Sequence, residues 1–303
     1  MQYDIEEIFT QSIMTKKPYV IVEGIDDISI YDRIINTESK SVEIIAVETI
    51  EGFTKGCDSI VNVAMSLEKI NNEKYDPSNY ILGIIDKDVR DFRGELPQYN
   101  TLLALNVYSI ESHFINSDVI NHILKICTKG TADLFTPHLR EKLLNECIKS
   151  MDILYLASLD ALKGALDRNY SSDFGYCQTY GRLKDQNLFN KLINKKNELY
   201  SFASEHAITN DLDSLKKICK GKWLLSMFCE ELEKSIKKLS SECGVSPVTV
   251  CQMCVIEAKS SCLYRLSEGF THKTMREIAK QVCNSTELSY IKNRVGQLRT
   301  KAA

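Results

Sequence analysis

Two short apolar runs, each ending in acid, constrain this chain more than any other feature. The first is Tyr19-Val20-Ile21-Val22, followed by Glu23, Gly24 and the pair Asp26-Asp27. The second is Ile81-Leu82-Gly83-Ile84-Ile85, followed by Asp86-Lys87-Asp88. Short apolar runs closed by polar turn formers read as buried strands of a parallel sheet. In an open α/β sheet, ligands sit at the carboxyl ends of the strands. Placed side by side, these two strands gather Glu23, Asp86 and Asp88 at one edge. Carboxylates held that close repel one another unless a cation neutralises them. Oxygen donors of this kind suit a hard divalent ion, Mg2+ or Mn2+.

The surrounding pattern completes an α/β unit. Apolar residues Ile5, Ile8, Phe9 and Ile13 recur at helical spacing over residues 3–14. Asp26 and Asp27 open a second helix carrying Ile28, Tyr31, Ile34 and Ile35 on one face; acids in a first turn also suit the helix dipole, which is reason enough for one of the two. Residues 42–47 read as a strand, 51–56 as a loop, and the stretch up to about residue 71 as a helix with Ile60, Val63, Ala64 and Leu67 inward. Residues 90–100, with Pro97, read as irregular, and 102–107 as a fourth strand. Strands alternating with helices imply a mostly parallel four-stranded sheet. From about residue 117 amphipathic helical periodicity takes over, broken near Gly130, Pro137, Gly164 and Gly175. The expected organisation is a catalytic α/β domain over 1–120 and a mainly helical domain over 121–303.

Charge divides the same way. Residues 1–118 carry 21 Asp and Glu against 10 Lys and Arg, whereas the remaining 185 carry 20 against 28. An acidic half suits metal binding and a basic half suits phosphate, with Lys216, Lys217 and Lys220 as candidate nucleic-acid contacts. An ordinary, uneven solvated surface is the competing explanation. No run of eighteen apolar residues exists, so no membrane span is expected. The N-terminal residues are acidic, without a signal core. The 11 cysteines are odd in number and scattered, unlike a secreted disulfide framework, and a cytoplasmic protein is expected. Cys251-x-x-Cys254, flanked by Cys243 and Cys262, lacks a second closely spaced pair. It reads as a buried apolar stripe with Val255 on one helical face rather than as a zinc site.

A strand ending in Glu-Gly, an Asp shortly after it, and a later strand ending in Asp-x-Asp resemble the Toprim domain of topoisomerases, primases and OLD-type nucleases. The likeness covers roughly the first 120 residues. Over most of the chain there is a further resemblance, to AriB-type nucleases, the Toprim-like effectors of the PARIS anti-phage system. It is carried by Tyr108-Ser109-Ile110-Glu111-Ser112-His113-Phe114 and by Gly221-Lys222. The resemblance implies Glu111 as a fourth acid and Lys222 as a catalytic lysine. It implies RNA, tRNA above all, as substrate, and an ABC-type ATPase as partner protein. From spacing alone Glu111 reads as readily as a helix-start charge. Gly221-Lys222 is not a phosphate loop, because the Gly-x-x-x-x that would precede it is missing.

The chemistry expected is phosphodiester hydrolysis. Asp86 and Asp88 are the metal ligands; Glu23 binds metal, acts as general acid/base, or does both in turn. Gly24 allows a tight turn and close approach of phosphate. Asp26, Asp27 and His113 are supporting candidates, and Asp91 is either a further ligand or an exposed loop charge. The residues themselves do not separate RNA from DNA cleavage, and a DNA endonuclease of OLD type stays open. A haloacid-dehalogenase-like phosphatase fits less well, since its acidic pair follows the nucleophile strand. A catalytically silent regulatory subunit of an ATPase complex is at odds with a complete acidic set. A homodimer would place two sites on one substrate.

Overall fold

In the computed structural model, residues 3–36, 41–70 and 74–302 are described, and of 299–302 the backbone only. The chain divides into two compact units, residues 1–106 with 283–303, and residues 107–282. The division falls at residue 106, earlier than the expected 120. The last segment belongs with the sheet, not with the helical region, which amphipathic periodicity alone has no means of showing.

The first unit is the expected α/β fold. Helix α1 (Ile5–Thr15) starts at Asp4, whose carboxylate accepts the Glu6 N–H at 3.1 Å while Glu7 reaches back to the Asp4 N–H. Strand β1 (Tyr19–Val22) is buried at every position, as a central parallel strand requires. Helix α2 (Ile25–Ile35) leads to β2 (Glu43–Ala46), and α3 (Cys57–Glu68) leads to β3 (Ile81–Ile85). A single helical turn, α4 (Arg90–Arg93), lies within the stretch expected to be irregular, before β4 (Leu102–Ala104).

All four strands are parallel, in the order β2-β1-β3-β4. From β1 the chain passes through α2 to one side, then through α3 back across β1 to β3. The order therefore reverses between β1 and β3, and their carboxyl ends flank the crevice where such sheets bind ligands. Tyr19 pairs with Ile81 and Ile21 with Gly83, which brings Glu23 level with the end of β3. Packed under the sheet are Ile8, Phe9, Ile50, Ile60 and Leu67, each worth about 1.5–3 kcal/mol when fully buried. A β-carbon on Gly83 would lie 2.5 Å from Ile60 Cγ2, so α3 approaches β3 only because that position is bare. The final helix, Ser289–Ala302, completes this unit: Arg294 donates to the Asn100 carbonyl at 2.6 Å, and the Asn106 N–H donates to the Tyr290 hydroxyl at 3.3 Å.

The second unit is helical: α5 (Ser117–Cys127), α6 (Pro137–Lys149), α7 (Asp152–Leu166), α8 (Gln186–Asn194), α9 (Lys196–Glu205), α10 (Leu212–Ile218), α11 (Gly221–Glu242), α12 (Gln252–Val255) and α13 (His272–Ala279). Helix α11, 22 residues long, is its axis, burying Trp223, Leu224, Phe228, Leu232, Ile236 and Leu239. The aromatic, turn-rich segment before α8 is held by Asp160 of α7, which is fully buried. Its carboxylate accepts the Tyr170 hydroxyl and, at 2.7 Å, the Phe174 N–H, and faces Lys195 at 3.5 Å. Tyr176 stacks on Trp223 with ring centres 5.7 Å apart. No helix among the described residues is long and apolar enough to cross a membrane.

Candidate active site

Glu23 follows β1 directly and Asp86 follows β3, so neighbouring parallel strands deliver both to the same edge of the sheet. The Glu23 carboxylate accepts the Asp86 backbone N–H at 3.0 Å. Asp88 sits two residues on with φ of 48°, a left-handed conformation that Asp tolerates better than most side chains. Backbone held in such a region is concentrated at functional sites. The turn is closed by the Arg90 N–H donating to the Lys87 carbonyl at 3.2 Å. Glu23, Asp86 and Asp88 are all half-buried. They do not close into a cage: among the described residues, the group of three or more ligand-type side chains with donor atoms all within 4.8 Å of one another is made of cysteines, not of these acids.

Two residues at this site escape sequence reasoning. Cys57, at the start of α3, donates its thiol to the same Glu23 oxygen and lies 3.9 Å from the Asp86 carbonyl. Burial, then the charges of Glu23, Asp88 and Asp86, push its pKa far up, so it stays a protonated donor. Tyr31 of α2 is buried, and its hydroxyl pKa is driven well above normal by burial, then by Asp86, Asp27, Tyr290 and Glu23. Tyr31 is legible in the sequence as an inward helix position, and Cys57 as one more scattered cysteine. Nothing local marks either as facing the acids.

The supporting candidates separate. Gly24 has an extended backbone with φ of −161°, which any residue adopts, so the expected tight-turn requirement does not hold there. A β-carbon at Gly24 would meet only the flexible end of Lys55, at 2.6 Å. Asp26 is exposed and faces Lys55 at 3.7 Å, a helix-start charge. Asp27 is half-buried on the side of Tyr31. Asp91 is paired with Lys87 rather than gathered with the ligand candidates.

Glu111, Lys222 and His113 belong to the second unit. Glu111 lies in the first turn of a 3-10 helix, Ile110–Phe114, as a helix-start acid, and is only 8% exposed. The Ser109 hydroxyl donates to it at 2.7 Å. Gly221 packs against this turn; a β-carbon there would lie 2.2 Å from Ser109 Oγ and 3.1 Å from Glu111 Cβ. Lys222 is exposed, with its Nζ 4.0 Å from the Glu111 carboxylate. The Gly-Lys pair thus begins α11 beside the acid. His113 is buried and shares its Nδ1 with the Ile110 carbonyl at 3.3 Å. Burial pushes its pKa down to about 4, and nearby Lys216 acts in the same direction.

The basic trio does not form one face. Lys216 is 6% exposed, so it is no surface contact for phosphate; the periodicity of α10 turns it inward beside Leu215. Lys217 is exposed. Lys220 is half-buried, donates to the Tyr176 carbonyl at 3.1 Å and lies over the Trp223 ring. The expected cysteine stripe is also corrected. Helix α12 has only four residues, Val255 is 65% exposed, and the thiols of Cys243, Cys251, Cys254 and Cys262 meet instead of lining a core face. Comparison with protein-family models and with curated protein sequences yields no match.

Proposed function

We propose that this chain is a metal-dependent phosphodiesterase of Toprim type, acting as a nuclease. The observation that carries the reading is the meeting of Glu23 and Asp86 at the point where the strand order reverses, with Glu23 bonded to the Asp86 N–H. Glu23, Asp86 and Asp88 would hold the cation. Their donor set of half-exposed carboxylate oxygens fits a hard divalent ion such as Mg2+ or Mn2+. Such an ion supplies polarisation of the phosphoryl oxygens and activation of water. The chain's own part is to keep the Glu23 carboxylate in place through the Asp86 N–H and the Cys57 thiol. Glu23 then has one oxygen fixed by two donors, an arrangement suited to moving a proton at a set position.

The substrate and partner parts of the proposal rest on the resemblance of the Glu111 and Gly221-Lys222 segments to AriB-type effectors. They are tRNA or another RNA, and an ABC-type ATPase. The buried Glu111 beside Lys222 supports treating these two segments as one feature. Incubation of the purified chain with tRNA, single-stranded DNA and duplex DNA, with Mg2+, with Mn2+ and with chelator, tests the reading. Cleavage of RNA that is lost with chelator and in a folded Glu23→Gln variant is the expected result. Cleavage of DNA alone replaces RNA by an OLD-type activity. No cleavage of any substrate, with the ATPase partner present, leaves a silent regulatory subunit in its place.

A further inference from the structure

Outside the acidic site, the chain assembles a second set of chemistry-bearing groups. The Sγ atoms of Cys243, Cys251, Cys254 and Cys262 all lie within 4.8 Å of one another. Their spacing is Cys-x7-Cys-x2-Cys-x7-Cys, symmetric about the central pair. Cys243 follows the last residue of α11; Cys251 and Cys262 are buried, and Cys254 is half-exposed on α12.

We propose that these four cysteines form a structural Zn2+ site that fastens the C-terminal end of α11 to the segment 251–262. The proposal is independent of the acidic site and of any activity there. Three observations carry it. First, Cys251 Sγ and Cys262 Sγ are 3.8 Å apart, far longer than a disulfide bond of about 2.05 Å. With a Zn–S bond of about 2.3 Å, the edge of a tetrahedron of sulfurs is about 3.8 Å. Second, the sulfurs already receive backbone donors: Cys251 N–H points to Cys243 Sγ at 3.2 Å and Leu263 N–H to Cys251 Sγ at 3.4 Å. Donors of this kind stabilise thiolates and orient metal ligands. Third, the segment has little else to hold it. It contains a four-residue helix and a three-residue 3-10 turn. Val248 and Tyr264 beside the knuckle are buried, but Val245, Val250, Val255 and Ile256 are 46–68% exposed. A stretch with four large apolar side chains left exposed is a setting in which a metal supplies folding free energy. Four sulfur donors select zinc or iron–sulfur over Mg2+ or Ca2+, and a closed tetrahedral set without an open position is structural rather than catalytic.

The test is metal analysis of the full chain purified under reducing conditions and passed over a column equilibrated with a weak chelator. About one zinc per chain is expected, released in proportion to added thiol-blocking mercurial. The double variant Cys251→Ser/Cys262→Ser should lose it, and Cys177→Ser, which alters an exposed thiol outside the cluster, should retain it. Since the double variant risks misfolding, the wild-type chain is also stripped and titrated with Co2+. Intense sulfur-to-cobalt charge-transfer absorption, saturating at one equivalent, is expected for a tetrahedral thiolate set. Three outcomes overturn the proposal: a reduced chain that neither contains zinc nor takes up Zn2+ or Co2+ at one equivalent, iron in place of zinc, or full zinc retention in the folded double variant.

Discussion

At the scale of single residues, the informative contacts are the ones that keep one ionic form of a side chain. Cys57 holds the Glu23 carboxylate as a neutral donor. Cys57→Ala should therefore lower turnover about tenfold, the worth of one hydrogen bond to a charged group. Cys57→Ser, which keeps a donor, should restore most of it; equal loss in both variants would show that the thiol only fills space. Lys222 and Lys217, both exposed on the second unit, should part company in kinetics. Lys222→Ala should lower kcat at saturating substrate if it acts on the transition state, whereas Lys217→Ala should only raise KM. His113 gives a pH prediction. Its folded pKa of about 4 lies below the ordinary value, so the unfolded chain binds the extra proton first. Stability is complete above about pH 6.5 and is lost as pH falls from there towards 4, by on the order of 3 kcal/mol at most. Urea midpoints between pH 7 and 4 should fall less steeply in His113→Asn than in the parent chain.

At the scale of elements, two packing contacts can be tested against the fold. Gly221→Ala drives a β-carbon into the Ser109 hydroxyl and should destabilise the second unit by about 1–3 kcal/mol, read from its denaturation midpoint. Asp160→Ala removes the acceptor shared by the Tyr170 hydroxyl and the Phe174 N–H, while Lys195 keeps Asp173 at 2.6 Å and the Ser171 carbonyl at 3.0 Å. A loss of about 1–3 kcal/mol is expected, because a buried donor is left without its acceptor. The sheet was legible at this scale because each strand is a short apolar run with acid or turn formers at its end. The positions of Glu23, Asp86 and Asp88 followed from the same pattern. What was not legible depends on partners distant in sequence. Cys57 meets Glu23 only because α3 packs on the sheet beside β1. Lys216 is turned inward by the helix face that Leu215 also occupies. Cys243 joins Cys251, Cys254 and Cys262 only after the chain folds back beyond α11, and a four-residue α12 cannot carry the helical stripe that spacing suggested.

At the scale of the whole molecule, the two halves of the charge pattern do not map onto the two compact units, because residues 283–303 belong with the acidic sheet. Truncation after residue 282 should therefore damage the sheet unit first: Asn100 and Asn106 lose their partners Arg294 and Tyr290. Hydrogen exchange in the truncated chain should show faster exchange at β3, β4 and the Asp86–Asp88 turn than in 107–282. Protection unchanged across the sheet would mean the last helix is dispensable. The same arrangement sets a clock. On the ribosome, 176 residues, 107–282, are made between Asn106 and Cys283. At 5–20 residues per second that is a wait of roughly 10 to 35 s. During that interval the edge bearing Glu23 and Asp86 exists without Tyr290, one of the groups that bear electrostatically on Tyr31 beside the acids. The acidic edge thus waits, through the synthesis of residues 107–282, for the segment that brings Tyr290 to it.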